Sequence, residues 1–485
     1  MVIKNWIGGK LKNTHDNDYI KKFNPHDGKF LYNIVNSKIN DINDAIDSAH
    51  EAFKIWSDFT PVKRGQILGN IVLGMKSNMK QLSECIATET GKSIKDAHAE
   101  VNAAILQAEF FAGEGMRLYG KSLTSGMRGK YTHSVRQPHG IVGLIVPANT
   151  PIANIAWKTF PALICGNSII LKASEDSPKI ALLFAKITKE AGLPDGIFNV
   201  IQGDGKISGS LLVSCHRISL ISFTGSTSVG KQIAQIAGAR LARVSLELGG
   251  KNPFIVCDDA DIDQAVNWAV LSAFSNAGQR CAAGSRILVF RSIYEKFRKK
   301  IITKTNSLKL GIDLDCDLDP VINMRQYENI LNAIKNAKKE GGKILSGGRK
   351  PTNIKLINGY YIQPTIIENL RRDSYLSTNE IFGPVVTLHV VEDIQDALNF
   401  SNSSEYGLTA AIHTRNLDRA VWFAQKIRSG TVNINIGTFG SEPHMPFGGF
   451  GLSGNGTREP GVEALDVYSE LKNISFLVRE NLINT

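Results

Sequence analysis

Ile141-Val-Gly-Leu-Ile-Val-Pro-Ala-Asn-Thr-Pro151 is the stretch on which the fold turns. Six residues run without a polar side chain and then stop at a proline and a polar turn. A strand buried on both faces reads this way, because neither side of its pleat meets water. Similar short runs follow at Ser168–Leu171, Ile197–Ile201 and Ile218–Phe223, with helical spacing over Pro178–Ala191 and Val229–Ala237 between them. Alternation of this kind predicts βαβ units and a parallel sheet. A second series begins at Pro253–Val256 and continues through Ile287–Phe290, Val385–Val391, Ala410–His413 and Thr431–Ile434. The expected fold class is α/β, with two domains joined near residue 250, since a chain of 485 residues is too long for one core.

Residues 41–118 read as helices. Ala45, Ala49, Ala52, Phe53 and Trp56 recur at helical spacing, as do Ile67, Ile71 and Met75. Asp41, with Asn43 and Asp44 behind it, marks a helix start. Residues 119–138 interrupt the scheme. Lys130–Gln137 alternates like an exposed strand and ends at Pro138, and another short apolar run, Ile474–Val478, lies in the tail. Unprotected edge strands invite pairing, so each is read as a surface hairpin or as an arm that pairs elsewhere, including with another subunit.

Bulk properties exclude several classes. The hydrophobic share of 42% and charged share of 21% are those of an ordinary globular enzyme. No apolar run reaches the roughly 18 residues of a membrane-spanning helix, and Met1-Val-Ile-Lys-Asn-Trp6 lacks the apolar core of a signal peptide. Six cysteines without a C-x-x-C pair suggest neither a zinc site nor a disulfide framework, so no metal and a reducing cytoplasm are expected. The net charge of +11 comes from lysines scattered among acids, as in Glu295-Lys-Phe-Arg-Lys-Lys300. No recognition motif accompanies it, and no nucleic-acid partner is expected.

Two glycine motifs mislead. Gly225-Ser-Thr-Ser-Val-Gly-Lys231 matches the first part of a P-loop, but Gln232 stands where a hydroxyl must hold magnesium. The strand–glycine–helix turn can still present backbone N–H groups to a phosphate. Gly449-Phe-Gly-Leu-Ser-Gly454 has neither a feeding strand nor a following helix and reads as a glycine-rich loop.

The chemistry centres on two strings. Cys281 lies in Asn276-Ala-Gly-Gln-Arg-Cys-Ala-Ala-Gly284, and Glu247, 34 residues upstream, lies in Leu246-Glu-Leu-Gly-Gly-Lys251. A thiol nucleophile and a carboxylate base, each on a tight turn, are what covalent aldehyde oxidation needs. A lone cysteine otherwise reads as a small buried apolar residue, and an asparagine between prolines, such as Asn149, as a turn former.

Together with these strings, Val146-Pro-Ala-Asn-Thr-Pro151, Leu171-Lys-Ala-Ser-Glu175, Phe223-Thr-Gly-Ser-Thr227, Glu380-Ile-Phe-Gly-Pro384 and Pro446-Phe-Gly-Gly449 form an ordered set. The sequence resembles the NAD(P)-dependent aldehyde dehydrogenase superfamily from about Trp6 to the last strand. The resemblance implies two Rossmann-like doubly wound parallel-sheet domains plus a small β oligomerisation arm. It divides the chain into a cofactor domain (1–118 and 139–249), a catalytic domain (250–457) and an arm (119–138 and 458–485). It implies that Cys281 attacks the aldehyde, that Asn149 holds the oxyanion and that Glu247 activates the water that hydrolyses the thioester. Relatives that pass the acyl group to coenzyme A usually lack this glutamate, so a free acid is the expected product. A coenzyme A-acylating semialdehyde dehydrogenase and a non-catalytic binding protein on the same fold are the alternatives.

The cofactor falls, by the same resemblance, on Lys172 and Glu175 at the adenosine ribose, Gly225 and Ser226 at the pyrophosphate, Leu248 beside the base, and Glu380 and Phe382 at the nicotinamide riboside. Glu175 favours NAD, since a carboxylate accepts from a ribose 2′-OH and repels a 2′-phosphate, while Lys172 keeps NADP open. The substrate is expected to be a small aldehyde and the assembly a homodimer or homotetramer. Ala148 departs from the tryptophan common in the family, and Thr150 from an aromatic. Thr150, Asn154, Arg280 and His444, with Trp157 as an aromatic wall, suggest a polar substrate pocket for a carboxylated or hydroxylated aldehyde.

Overall fold

The computed structural model describes residues 1–311, 313 and 316–478. Its first large sheet has seven strands in the order Arg243–Glu247, Leu220–Thr224, Ile141–Ile145, Ser168–Lys172, Phe198–Ile201, Asn5–Ile7 and Lys10–Lys12. The first five are parallel. The chain starts at the middle strand, moves outward through two, then crosses back to fill the other side. The direction therefore reverses between Ile141–Ile145 and Leu220–Thr224. In a doubly wound sheet the loops leaving the carboxyl ends at such a point diverge and open a crevice. Pro147–Thr150 and Gly225–Ser226 are those loops.

The second sheet also has seven strands: Lys343–Ser346, Thr365–Glu368, Val385–Val391, Gly284–Phe290, Asn252–Val256, Thr409–His413 and Thr431–Ile434. Only Lys343–Ser346 runs antiparallel to its neighbour. The turn Leu248–Lys251 carries the chain from the carboxyl end of Arg243–Glu247 straight to the amino end of Asn252–Val256. Cys281 and Phe382 likewise precede the strands that begin at Gly284 and Val385. The site thus forms where the carboxyl edge of one sheet meets the amino edge of the other.

Helices Ile39–Asp58, Pro61–Ser77, Met79–Thr90 and Ile94–Gly113 cover the first sheet, and their buried stripe holds the residues picked out by periodicity, Phe53 alone staying half-buried. Asp41 starts the first of them from inside: the helix begins at Ile39, and the Asp41 carboxylate reaches back to the N–H of Lys38 at 2.9 Å. The core cluster includes Ala464, Leu465 and Tyr468 from the short helix Ala464–Tyr468, so the chain returns to the first domain's interior before its last strand.

Lys130–Pro138 and Ser469–Leu477 pair with each other, antiparallel over nine residue pairs, with Ser122–Leu123 on the other side. Tyr131 and Phe476 are partners in that register and stack at 5.6 Å while staying exposed. Residues 479–485, the end of the expected arm, lie outside the described residues. Among the described residues, no helix is long and apolar enough to cross a membrane, and no cluster of three metal-ligating side chains occurs.

Candidate active site

Cys281 is positioned by an unusual turn. Asn276 and Ala277 have φ of 55° and 53°, and Gly278 follows at 67°. Two non-glycine residues in the left-handed region cost of order 1–3 kcal/mol each and need a surrounding that enforces them. Gly278 could be nothing else, since a Cβ there would lie 2.2 Å from the Gly383 carbonyl oxygen. The Asn276 side-chain amide donates to the carbonyls of Gln279 (3.2 Å) and Asn149 (3.3 Å). Asn252 Nδ2 donates to the carbonyls of Cys281 (2.7 Å) and Ala283 (2.9 Å), which fixes the other side of the nucleophile.

Asn149 follows the strand Ile141–Ile145 and donates one amide hydrogen to the Gln279 carbonyl at 2.8 Å. Its second amide hydrogen is free to point at a ligand. Among the described residues no backbone carbonyl takes the Cys281 N–H. These two donors lie on one chamber of about 290 Å³, lined by Asn149, Thr150, Asn154, Trp157, Glu247, Leu248, Cys281, Glu380, Phe382 and Phe447 among others. The chamber shares the wall residues Pro147, Thr224, Gly225 and Ser226 with a cavity of about 570 Å³ whose walls include Lys172, Glu175, Lys206 and Arg325.

Glu247 is 4% exposed, and neither carboxyl oxygen has a hydrogen-bond partner among the described residues. Burial, and then the charge of Glu459, push its pKa well above the usual carboxylate value; Lys158 and Arg458 pull the other way. Glu459 is itself held by Lys158 (2.8 Å), Ser222 (3.0 Å), Ser245 (3.1 Å) and Tyr468 (2.8 Å), all fully enclosed. Burial pushes the Cys281 thiol up to about 12, and the carboxylates of Glu380 and Glu247 add to the rise. The Ala282 N–H and Arg280 oppose it without reversing it. Glu380 is raised to about 7 by burial, partly offset by the Gly250 N–H at 3.1 Å and by Lys251.

The second cavity fits a dinucleotide. The helix Thr227–Gly238 begins at Ser226 with no side-chain cap, so its first amides are left for an acceptor. Two neighbouring helices are closed instead: Glu100 accepts from the N–H groups of Ile152 (3.0 Å) and Ala153 (3.4 Å), and Glu89 from those of Lys179 (2.8 Å) and Ile180 (3.1 Å). On the cavity rim Lys172 Nζ lies 3.0 Å from Glu175. Burial alone would raise the Glu175 carboxyl, but Lys172, a backbone N–H and Arg325 together outweigh it and the net shift is downward.

The polar-pocket set divides. Thr150, Asn154 and Trp157 line the chamber. Asn154 is tied to Thr150 by two bonds of 2.9 and 2.8 Å, and Trp157 meets Phe447 edge-on at 5.6 Å. Arg280 and His444 are not on the chamber wall. The Arg280 guanidinium stacks on Phe439 at 5.1 Å, and burial lowers its pKa against the opposing pull of Asp96 and Glu100, while His444 is exposed beside Glu442. Ala148, the departure from tryptophan, fills a buried position. Lys92 and Glu100 were not singled out from the sequence, although Glu100 falls on the apolar stripe of Ala97, Val101 and Ala104, where a carboxylate is out of place.

Comparison with known proteins agrees with this geometry. The model of the aldehyde dehydrogenase family matches residues 12–474. An α-ketoglutaric semialdehyde dehydrogenase of Bacillus subtilis (strain 168) is 37% identical over 473 residues, 97% of each chain. A D-glyceraldehyde dehydrogenase (NADP(+)) of Picrophilus torridus is 35% identical, covering 97% of this chain and 96% of its own. Among solved structures, a betaine aldehyde dehydrogenase point mutant of Staphylococcus aureus in complex with NAD+ superposes with a TM-score of 0.96 at 32% identity, over 99% of this chain and 97% of that one.

Proposed function

Because this chain belongs to the aldehyde dehydrogenase family and oxidises an aldehyde with NAD(P), we propose that it turns a small polar aldehyde into the free carboxylic acid, with Cys281, Asn149 and Glu247 as the reacting set. The Cys281 thiol gives up its proton to solvent, and Sγ bonds to the aldehyde carbon. The carbonyl π pair moves to oxygen, where the Asn149 amide and the Cys281 N–H stabilise it. A dinucleotide bound against Gly225, Ser226, Leu248, Glu380 and Phe382 supplies the hydride acceptor. The thioester left on Sγ is then attacked by a water whose proton Glu247 takes. The C–S bond breaks and the acid leaves.

One observation carries the hydrolytic reading. Glu247 is buried with both carboxyl oxygens unpartnered. An orphaned buried carboxyl costs stability, and a fold has no use for it unless a ligand or water is its partner. The same observation weighs against the acylating and non-catalytic alternatives.

Thr150 and Asn154 support a hydroxylated or carboxylated aldehyde, and the names of the semialdehyde and glyceraldehyde relatives point the same way. Glu175 supports NAD over NADP. The exposed pair Tyr131 and Phe476 on the arm supports a homodimer or homotetramer. The sparse cysteines, with no C-x-x-C pair, support a reducing, cytoplasmic setting. The division into cofactor, catalytic and arm segments follows the two large sheets and the small one.

The test is reduction of NAD and NADP with hexanal, D-glyceraldehyde and succinic semialdehyde, run beside Cys281→Ala and Glu247→Gln. We expect kcat/KM at least about 10-fold higher for the polar aldehydes, none with Cys281→Ala, and one burst turnover with Glu247→Gln. Hexanal used equally well removes the polar-substrate reading. Steady full turnover by Glu247→Gln removes the hydrolytic one.

A further inference from the structure

We propose that Lys92 and Glu100 are positioning residues that hold Asn149 in place; the proposal rests on the reading of Asn149 as the oxyanion donor. Lys92 follows Gly91, a left-handed residue (φ 79°) that ends the helix Met79–Thr90, and its side chain is 3% exposed. Nζ donates to the Asn149 carbonyl at 2.7 Å and to Glu100 Oε2 at 2.5 Å. The other oxygen of Glu100 accepts from the N–H groups of Ile152 and Ala153. One ion pair therefore grips both ends of the Asn149–Ala153 turn, its carbonyl at the strand side and its amides at the helix side.

Capping the helix Pro151–Ile164 does not require this. A serine or aspartate at position 150 would cap it locally, and a buried ion pair gives little net stability over apolar replacements. What the pair adds is a fixed main chain at 149. Without Lys92, that carbonyl keeps only the longer bond from Asn276. The Asn149 side chain would still be tethered to Gln279, but from a backbone free to rotate. A misplacement of about 1 Å at a reacting group costs on the order of 10²-fold in rate.

The experiment is a double-mutant cycle on the intact enzyme: Lys92→Met, Asn149→Ala and both together. Turnover of D-glyceraldehyde and succinic semialdehyde with NAD is measured beside the cofactor-free release of nitrophenolate from p-nitrophenyl acetate. Expected are a fall of about 10²–10³ for Asn149→Ala, a fall of about 10–100-fold in kcat for Lys92→Met, and a double variant within about 2-fold of Asn149→Ala. NAD affinity by tryptophan fluorescence should not move. Equal factors in both backgrounds, or Lys92→Met at wild-type kcat, would overturn the proposal. Asn149→Ala at wild-type turnover would take down the oxyanion reading itself, and the role of Lys92 with it. If Lys92→Met does not fold, Lys92→Gln, which retains a donor, takes its place in the same cycle.

Discussion

The backbone N–H of Gly225 donates to the Glu247 carbonyl at 3.0 Å, tying the phosphate-binding turn to the base just beyond the last register pair of their strands, Thr224 with Glu247. Glu380 then closes the junction from the second sheet through the Gly250 N–H. Gly225 and Glu247 are thus joined main chain to main chain, and the Glu380 carboxylate reaches the same turn from the other sheet.

Gly249 should prove sensitive for that reason. A Cβ there would stand 2.0 Å from Glu380 Oε2, and Glu380 cannot retreat without losing its Gly250 bond. Gly249→Ala is expected to raise the KM for NAD by about 10–100-fold, the worth of one charge-assisted hydrogen bond. Hydrolysis of p-nitrophenyl acetate should survive within about 3-fold, because it needs no cofactor. Loss of both activities together would mean that the turn collapses altogether.

Glu247 predicts a trade of stability for activity with a defined pH sense. Its folded pKa lies above the ordinary 4.5, mainly through burial, so the folded state binds the proton more tightly than the unfolded chain does. That stabilising contribution is complete below about pH 4.5 and is lost as pH rises toward the folded pKa. Glu247→Gln, which cannot ionise, should match the wild-type Tm under acid and exceed it at pH 8. A Tm gap that shrinks as pH rises would contradict the assignment.

Lys158 and Glu459 should be costly singly and cheap together. Lys158→Met leaves Glu459 buried without its cation and should lower unfolding free energy by about 3–5 kcal/mol. Adding Glu459→Gln should recover at least part of that loss. Urea unfolding of the four proteins measures it, and simple additivity would deny the coupling.

Cofactor choice should hinge on Glu175. Glu175→Gln removes the charge that repels a 2′-phosphate and releases Lys172, 3.0 Å away, to meet it. The NADP-to-NAD ratio of kcat/KM should rise about 10-fold or more. An unchanged ratio would move the selectivity to another wall of the cavity, Arg325 first.

The central strands were legible because burial on both faces erases alternation: Ile141–Ile145 and Ile169–Leu171 are apolar throughout, and Val385–Val391 is interrupted only by Thr387 and His389. Arg243–Glu247 escaped, because an arginine at one end and the base at the other leave only three residues of strand signal. Asn5–Ile7 and Lys10–Lys12, at the sheet's edge, are too short to show a period. The residues proposed to react were picked out by motifs, but their supports were not. Lys92 reads as an ordinary surface lysine until the fold brings position 149 to it, 57 residues away. Arg280 misled in the opposite sense: it was expected in the polar substrate pocket, whereas its side chain turns to Phe439.

The carboxylates Glu89 and Glu100 close two of the helix ends that look onto the crevice, and the end at Ser226 stays open. An incoming polyanion therefore finds one welcoming dipole flanked by two that are already neutralised by acids. Of these three helix ends, the one at Ser226 could offer its main-chain amides to a dinucleotide's phosphates, and the acids at the other two would repel them.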